Sequence, residues 1–263
     1  MRSMNYGKSF RARMAAFAVY VLFTFQSLVG IHAQSAQERI PVLIELFTSE
    51  GCSDCPPADR LLEELDTKQP IAHAQAIVLS EHVTYWNHLG WRDPYSLDEI
   101  DRRQNEYGDR FRLDSVYTPQ AVIDGAVQVV GNNGAGLAQA IERASSSPKK
   151  PLSIGDAHWD NGSISFTVRG AIDPNSKLIA VLAADAKGLR IAHGENAGRT
   201  LHHVAVVRSI KEFNANAADG RVLRLSGGSL GPNQGATPVR LVIFATDRKT
   251  GHITAVNEQV LGR

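Results

Sequence analysis

The sequence predicts an α/β domain, a mixed central sheet with helices on both faces, followed by a mostly-β, sandwich-like domain. Three observations lead there. Strand-like and helix-like apolar patterns alternate as far as Ala144, ending in a hairpin and a closing helix. The stretch Ser145-Ser-Ser-Pro-Lys-Lys-Pro151 has the composition of a linker. Beyond it the pattern changes to short strands divided by closely spaced turn signals, without a convincing amphipathic helix. The expected boundaries are 38–147 for the first domain and 152–263 for the second.

Ahead of both domains, residues 1–33 hold Arg2, Lys8, Arg11 and Arg13, no acidic residue, and an apolar run from Met14 to about Val29. That is the order of a secretory signal peptide, with cleavage after Ala33 or Ser35 and export to the periplasm or beyond. The run is interrupted by Gln26 and Ser27 and is shorter than the roughly 20 residues of a membrane span, so no membrane association is expected after cleavage. Cleavage removes four of the 28 Lys and Arg and none of the 27 Asp and Glu, leaving 24 against 27, about −3. Such a charge asks for no nucleic-acid partner.

Val42 to Phe47 reads as a buried strand running into the turn Thr48-Ser-Glu-Gly51, with Cys52 and Cys55 directly after it. Pro56 and Pro57 suit the first turn of a helix, whose apolar face is Leu61, Leu62 and Leu65. Gln75 to Leu79 is a second buried strand. Ser96 with Glu99 forms a capping box that opens a helix to about Tyr107. Thr118-Pro119 precedes a strand to Ile123, Asp124-Gly125 makes a hairpin turn, Val127 to Val130 returns, and Gly136 to Ala144 is the closing helix. Seven strands follow, at 154–159, 163–168, 177–184, 201–210, 221–225, 239–247 and 252–260.

The chain has two cysteines, three positions apart. A loop that short constrains little chain entropy, so the spacing points to chemistry more than to bracing. Three readings stand: a dithiol/disulfide pair, half of a zinc site, and a structural bridge. Zinc would draw its remaining ligands from histidines such as His73, His82 or His88, none of which shows a paired ligand spacing, so no metal is expected. In the redox reading Cys52 is the nucleophile, because the unpaired N–H groups and positive dipole end of the following helix favour its thiolate. Cys55 is then the resolving thiol, and no cofactor beyond the redox-active disulfide is needed. Glu50 and Asp54 oppose the activation, since nearby negative charge raises a thiol pKa.

Around the second strand, His82, Tyr85, Trp86 and Trp91 either shape a groove for a partner or pack as a loop of rings, with His82 and Trp86 as candidate substrate contacts. Glu195, Asn196 and Arg199 read as a polar loop, solvated or in contact between domains. Asn161-Gly-Ser matches a glycosylation sequon.

Residues 42–145 resemble a thioredoxin-like domain. ELFTSEGCSDCPPAD (45–59), HVTYWNHLGW (82–91), YTPQAVIDG (117–125) and GENAGRTL (194–201) together resemble a secreted, functionally uncharacterised family, domain of unknown function 1223. The first resemblance implies a cis-proline at Pro119 opposite the cysteines, with the Thr118 backbone ready to pair with an extended substrate segment. It also implies a buried acid near Glu45 that takes the proton of the second cysteine, although Glu45 lies one residue further from Cys52 than in that pattern. A paired polar residue within a strand is the alternative for Glu45. The sequence departs from thioredoxins in having no Trp before Cys52, Ser53-Asp54 between the cysteines, and Pro56 in place of a basic residue.

The expected function is exported thiol:disulfide exchange with protein thiols and disulfides or small thiols. The alternatives are a non-catalytic binding protein for copper or a protein ligand on the same face, and a structural envelope protein. Nothing in the sequence bears on oligomeric state.

Overall fold

A computed structural model describes residues 39–188, 190–228, 230 and 238–261; the expected signal peptide lies outside them. In chain order the elements are β1 (Ile40–Thr48), α1 (Cys55–Lys68), β2 (Ala74–His82), α2 (Asp98–Phe111), β3 (Gln120–Ile123), β4 (Val127–Val130) and α3 (Gly134–Ser145). They continue with β5 (Leu152–Asp160), β6 (Ser163–Gly170), β7 (Ser176–Ala186), β8 (His203–Asn214), α4 (Ala215–Ala218), β9 (Val222–Ser226), β10 (Val239–Asp247) and β11 (Ile253–Leu261). Among the described residues no helix is long and apolar enough to cross a membrane.

The expected fold class is corrected by the way these strands assemble. In place of a helix-flanked, thioredoxin-like α/β domain and a separate sandwich, the chain is mostly β. One mixed eight-stranded sheet has the order β11-β10-β7-β8-β2-β1-β3-β4, and β5-β6-β9 make a second, three-stranded sheet. Strands form at all seven places expected after residue 152, but four of them join the large sheet. The seam is β2 beside β8, parallel and paired at Ser80 and Val206.

The physical reason lies in the apolar pattern of β7. A sandwich strand with one solvated face alternates apolar and polar residues. Here Leu178, Ala180, Leu182 and Ala184 enter a core shared with Ile164, Phe166 and Leu225 of the small sheet. The intervening Ile179, Val181 and Ala183 enter the other core, with Val42, Ile44, Leu79 and the helix residues Leu62 and Ile141. β10 divides in the same way, Leu241 and Ile243 to one side and Val242 and Phe244 to the other. Strands buried on both faces must be covered on both, which makes them central strands of a three-layered structure.

A second correction concerns α2. Its N-cap is Leu97, without a side-chain capping bond. Ser96 instead donates its hydroxyl to the Asp93 carbonyl (2.8 Å) and accepts from the Asn87 amide (3.0 Å), so the expected capping box does not form.

The Asp124-Gly125 hairpin turn pins the two parts of the chain together. Both residues have positive φ, 49° and 63°, as the two central positions of a primed β-turn require, and Ala126 N–H closes the turn on the Ile123 carbonyl (3.0 Å). The Asp124 carbonyl accepts from Ile253 N–H (2.9 Å), and its carboxylate from Leu43 N–H (3.0 Å) and Lys149 (2.7 Å). A Cβ on Gly125 would lie 2.2 Å from the Gly251 carbonyl oxygen. Gly125→Ala is therefore expected to lower unfolding free energy by roughly 2 kcal/mol or more in urea titration. Gly162→Ala, at φ +78° with open space around it, should lose only the conformational part, about 1 kcal/mol.

Candidate functional site

β1 delivers the chain into a tight turn. Ser49 organises it: its hydroxyl accepts from Gly51 N–H (3.0 Å) and its carbonyl from Cys52 N–H (3.1 Å). α1 begins at Cys55, with Pro56 and Pro57 in a first turn where their missing N–H groups cost nothing. Cys52 and Cys55 are joined as a disulfide, Cα atoms 5.4 Å apart. Ser53 and Asp54 are exposed, yet Cys52 and Cys55 have relative exposures of 1% and 0%.

Beneath the turn is a buried polar cluster. The His203 imidazole, at the start of β8, lies between two carboxylates: Nε2 is 3.6 Å from Glu50 Oε1, and Nδ1 is 3.6 Å from Asp59 Oδ2. Burial works against a charged imidazole, but Asp59 and Glu50 outweigh it and raise the His203 pKa to about 10. His203 is thus a buried cation at neutral pH, held by charge at 3.6 Å from each acid without a hydrogen bond to either. Glu50 also accepts from the Trp91 indole (2.8 Å), and Asp59 from the Thr48 hydroxyl (2.9 Å). The negative charge of Glu50 close to Cys52 is therefore offset in part by a positive one that Asp59 shares.

His82 packs edge-on against His203, ring centroids 4.6 Å apart. Its Nδ1 lies 2.7 Å from Asp93 Oδ2; a carboxylate only accepts, so this nitrogen carries the proton. The Ser80 hydroxyl is 3.2 Å from Nε2. Burial disfavours ionised Asp93, but His82 and the N–H groups of Glu50 and Tyr95 more than compensate and hold its pKa below the usual value. Tyr95 stands against both histidines, with the Arg208 guanidinium 4.3 Å over its ring. His82 is buried in this network and does not line a surface groove.

The remaining predicted residues separate into two places. Thr118–Pro119 is a cis peptide. A Cβ placed on Gly131 would meet Pro119 Cβ at 3.0 Å and Ala58 Cβ at 3.2 Å, so Pro119 sits beside the first turns of α1. Trp86 bridges this segment to the cysteine turn: its indole donates to Thr118 Oγ1 (2.7 Å), and its Cβ is 3.1 Å from a Cβ built on Gly51. Glu45 lies elsewhere. Successive side chains of β1 face opposite sides of the sheet. Leu46 faces Ala58 of α1, while Glu45 faces α2, accepting from the Tyr107 hydroxyl (2.5 Å) and from Arg103 Nε. The paired polar residue is the reading this geometry favours. Next to it burial, and then Glu45, push the Glu81 carboxyl well above its ordinary pKa despite Arg103.

The sequence reading did not single out Asp59, Asp93 or His203, and gave Glu195 and Asn196 only as a polar loop. Asn196 is 0% exposed and donates its carboxamide to the carbonyls of Glu50 (2.9 Å) and Cys52 (2.8 Å). Glu195 accepts from Ser53 N–H (3.0 Å). Their appearance in the GENAGRTL motif was the available signal. Among the described residues, no group of three or more His, Cys, Asp or Glu is placed to hold a metal ion.

Removing one member of a buried charge group leaves its partners uncompensated. His203→Ala should cost on the order of 3 kcal/mol or more in denaturant unfolding. The pKa of His203 is raised on folding, so its contribution is complete below the unfolded value near 6.5 and declines as pH rises towards the folded value of about 10. Wild-type stability should therefore fall across that interval with about one proton more of linkage than His203→Ala shows, as measured by urea titrations at successive pH.

The fold has relatives. A crystal structure of a protein from Agrobacterium tumefaciens superposes with a TM-score of 0.59 at 24% sequence identity, over 86% of this chain and 96% of that one. That likeness establishes a shared fold. No curated protein matches the chain. The family described as "Protein of unknown function (DUF1223)" matches residues 43–228, a span that contains the cysteine turn, the buried histidines and the Asn196 loop, and the chain belongs to that family.

Proposed function

We propose that the protein carries out thiol:disulfide exchange through Cys52 and Cys55 after export, with protein thiols and disulfides or small thiols as partners. The observation that carries this reading is a disulfide closed across three residues at the start of α1. The pair sits at the positive end of the α1 dipole, which favours a thiolate there, although Pro56 and Pro57 bring no N–H to the first turn and Cys55 N–H is bonded to the Cys52 carbonyl (3.3 Å). His203, which Glu50 shares with Asp59, and the hydrogen bond from the Trp91 indole weaken the opposition of Glu50 to that thiolate.

In the reducing direction of the cycle a partner thiolate attacks Cys52 Sγ. A mixed disulfide forms, and Cys55 leaves as a thiolate that takes up a proton. A second partner thiol attacks the mixed disulfide, which releases the partner as a disulfide and Cys52 as a thiol. Two electrons and two protons pass to the protein, and the reverse sequence oxidises a partner dithiol.

The pair is expected to equilibrate with glutathione buffers between cytosolic and periplasmic poise, read by thiol trapping and intact mass. Cys55→Ser should accumulate a mixed disulfide on Cys52 in periplasmic extract. A pair that stays closed across the whole range, with nothing captured by Cys55→Ser, would refute exchange and leave a structural bridge.

A further inference from the structure

The disulfide is shut away, and one segment of the second half of the chain lies over it. Residues 190–200 fold back on themselves as a small hairpin. Arg190 and Thr200 form an isolated bridge, Ile191 N–H donates to the Arg199 carbonyl (2.9 Å), and Gly198 N–H donates to the Ile191 carbonyl (2.8 Å). The tip turns at Gly194 and Gly198, φ +79° and +82°, a conformation that side chains rarely adopt. Apart from Ile191 and Asn196, every residue from 190 to 200 is exposed.

This hairpin is complete in its own backbone bonds, and it touches the cysteine turn through two side chains. Asn196 fastens the carbonyls of Glu50 and Cys52, and Glu195 takes the exposed N–H of Ser53. Both groups bind main chain on either side of Cys52. Arg199 in turn donates to Asn196 Oδ1 (3.1 Å), which holds the carboxamide with its N–H₂ towards the turn. Its remaining holds are the buried Ile191 and the approach of Gly194 to the 89–91 loop, where an added Cβ would lie 3.3 Å from Trp91 Cβ. A mostly exposed unit with internal hydrogen bonds and these few holds can lift as a whole without disturbing the sheet.

We propose that residues 190–200 are a latch on the cysteine turn: Asn196 seals Cys52 in the closed state, and reagents or partners reach the disulfide only when the latch lifts. The proposal rests on the exchange reading for its biological use, but access to the sulfurs can be measured without it. It makes Asn196 a gating residue, not a participant in the chemistry.

The test is the rate at which dithiothreitol, itself oxidised to its cyclic disulfide, reduces Cys52–Cys55 in the folded protein. Asn196→Ala should raise that rate by roughly tenfold or more, the effect of releasing two buried hydrogen bonds, with circular dichroism and thermal midpoint close to wild type. Hydrogen exchange on the unmodified protein gives a second reading that does not depend on how the variant folds. The amides of Cys52, Ser53 and residues 191–199 should open together, and well before those of β1 and β7. Equal reduction rates in wild type and variant, or exchange of the turn only through global unfolding, would overturn the latch. If Asn196→Ala opens the pair while Cys55→Ser still captures no partner, the latch stands and the exchange reading falls.

Discussion

A buried positive charge organises this molecule. His203 belongs to β8, Glu50 to the turn after β1 and Asp59 to the second turn of α1, and no two of them are on the same element. An isolated ion at such a site would cost several kcal/mol, and a pair must be well placed to offset that cost. The requirement is geometric: β8 must lie beside β2, the turn must present Glu50 inward, and α1 must present Asp59 to the same point. His82 and Asp93 extend the constraint to β2 and the loop before α2, because the Asp93 carboxylate receives both the His82 ring and Glu50 N–H. The cysteine turn is therefore held from below by side chains drawn from four parts of the chain.

That arrangement explains why local features were legible in the sequence and the assembly was not. Strand periodicity and turn residues placed β1, the helix after the cysteines, the Asp124-Gly125 hairpin and the later strands close to where they occur, since each depends on neighbours within a few residues. The partnership of β2 with β8 depends on residues more than 120 positions apart, and a single paired position, Ser80 with Val206, records it. One clue was present: Leu178 to Ala184 has no polar residue, and a strand without a polar face cannot border solvent on either side. Reading it as half of an ordinary sandwich overlooked the second core it has to fill.

The site divides in the same way. Cys52, Cys55, Thr118, Pro119 and Trp86 are close in space, and each was marked by a local motif. His203 was hidden because its neighbours in sequence describe a strand edge and its partners lie some 150 residues earlier. Glu45 is the converse case, a residue with two open readings between which only the sheet geometry discriminates. The thioredoxin resemblance suggested a role in proton transfer, with a paired polar residue in a strand as the alternative, and the alternation of side chains along β1 turns Glu45 to the far side of the sheet, where Arg103 and Tyr107 occupy it.

The proposed exchange has to reconcile buried cysteines with attack on one of their sulfurs. Attack on a disulfide needs a clear line to one sulfur, whereas thiolate stabilisation needs that sulfur to face donors and a compensated electrostatic field. In the proposed cycle the second condition falls to the positive end of α1 and to the buried His203 below the turn. Only the first depends on what lies above it, and that is a self-contained hairpin fastened by Asn196 and Glu195. Separating the two conditions between different parts of the fold lets access vary while the electrostatic environment of the sulfurs stays fixed. An exported disulfide protected in this way would meet partners selected by their ability to displace the hairpin, so specificity would reside in residues 190–200 and the reactivity of the pair in the histidine cluster.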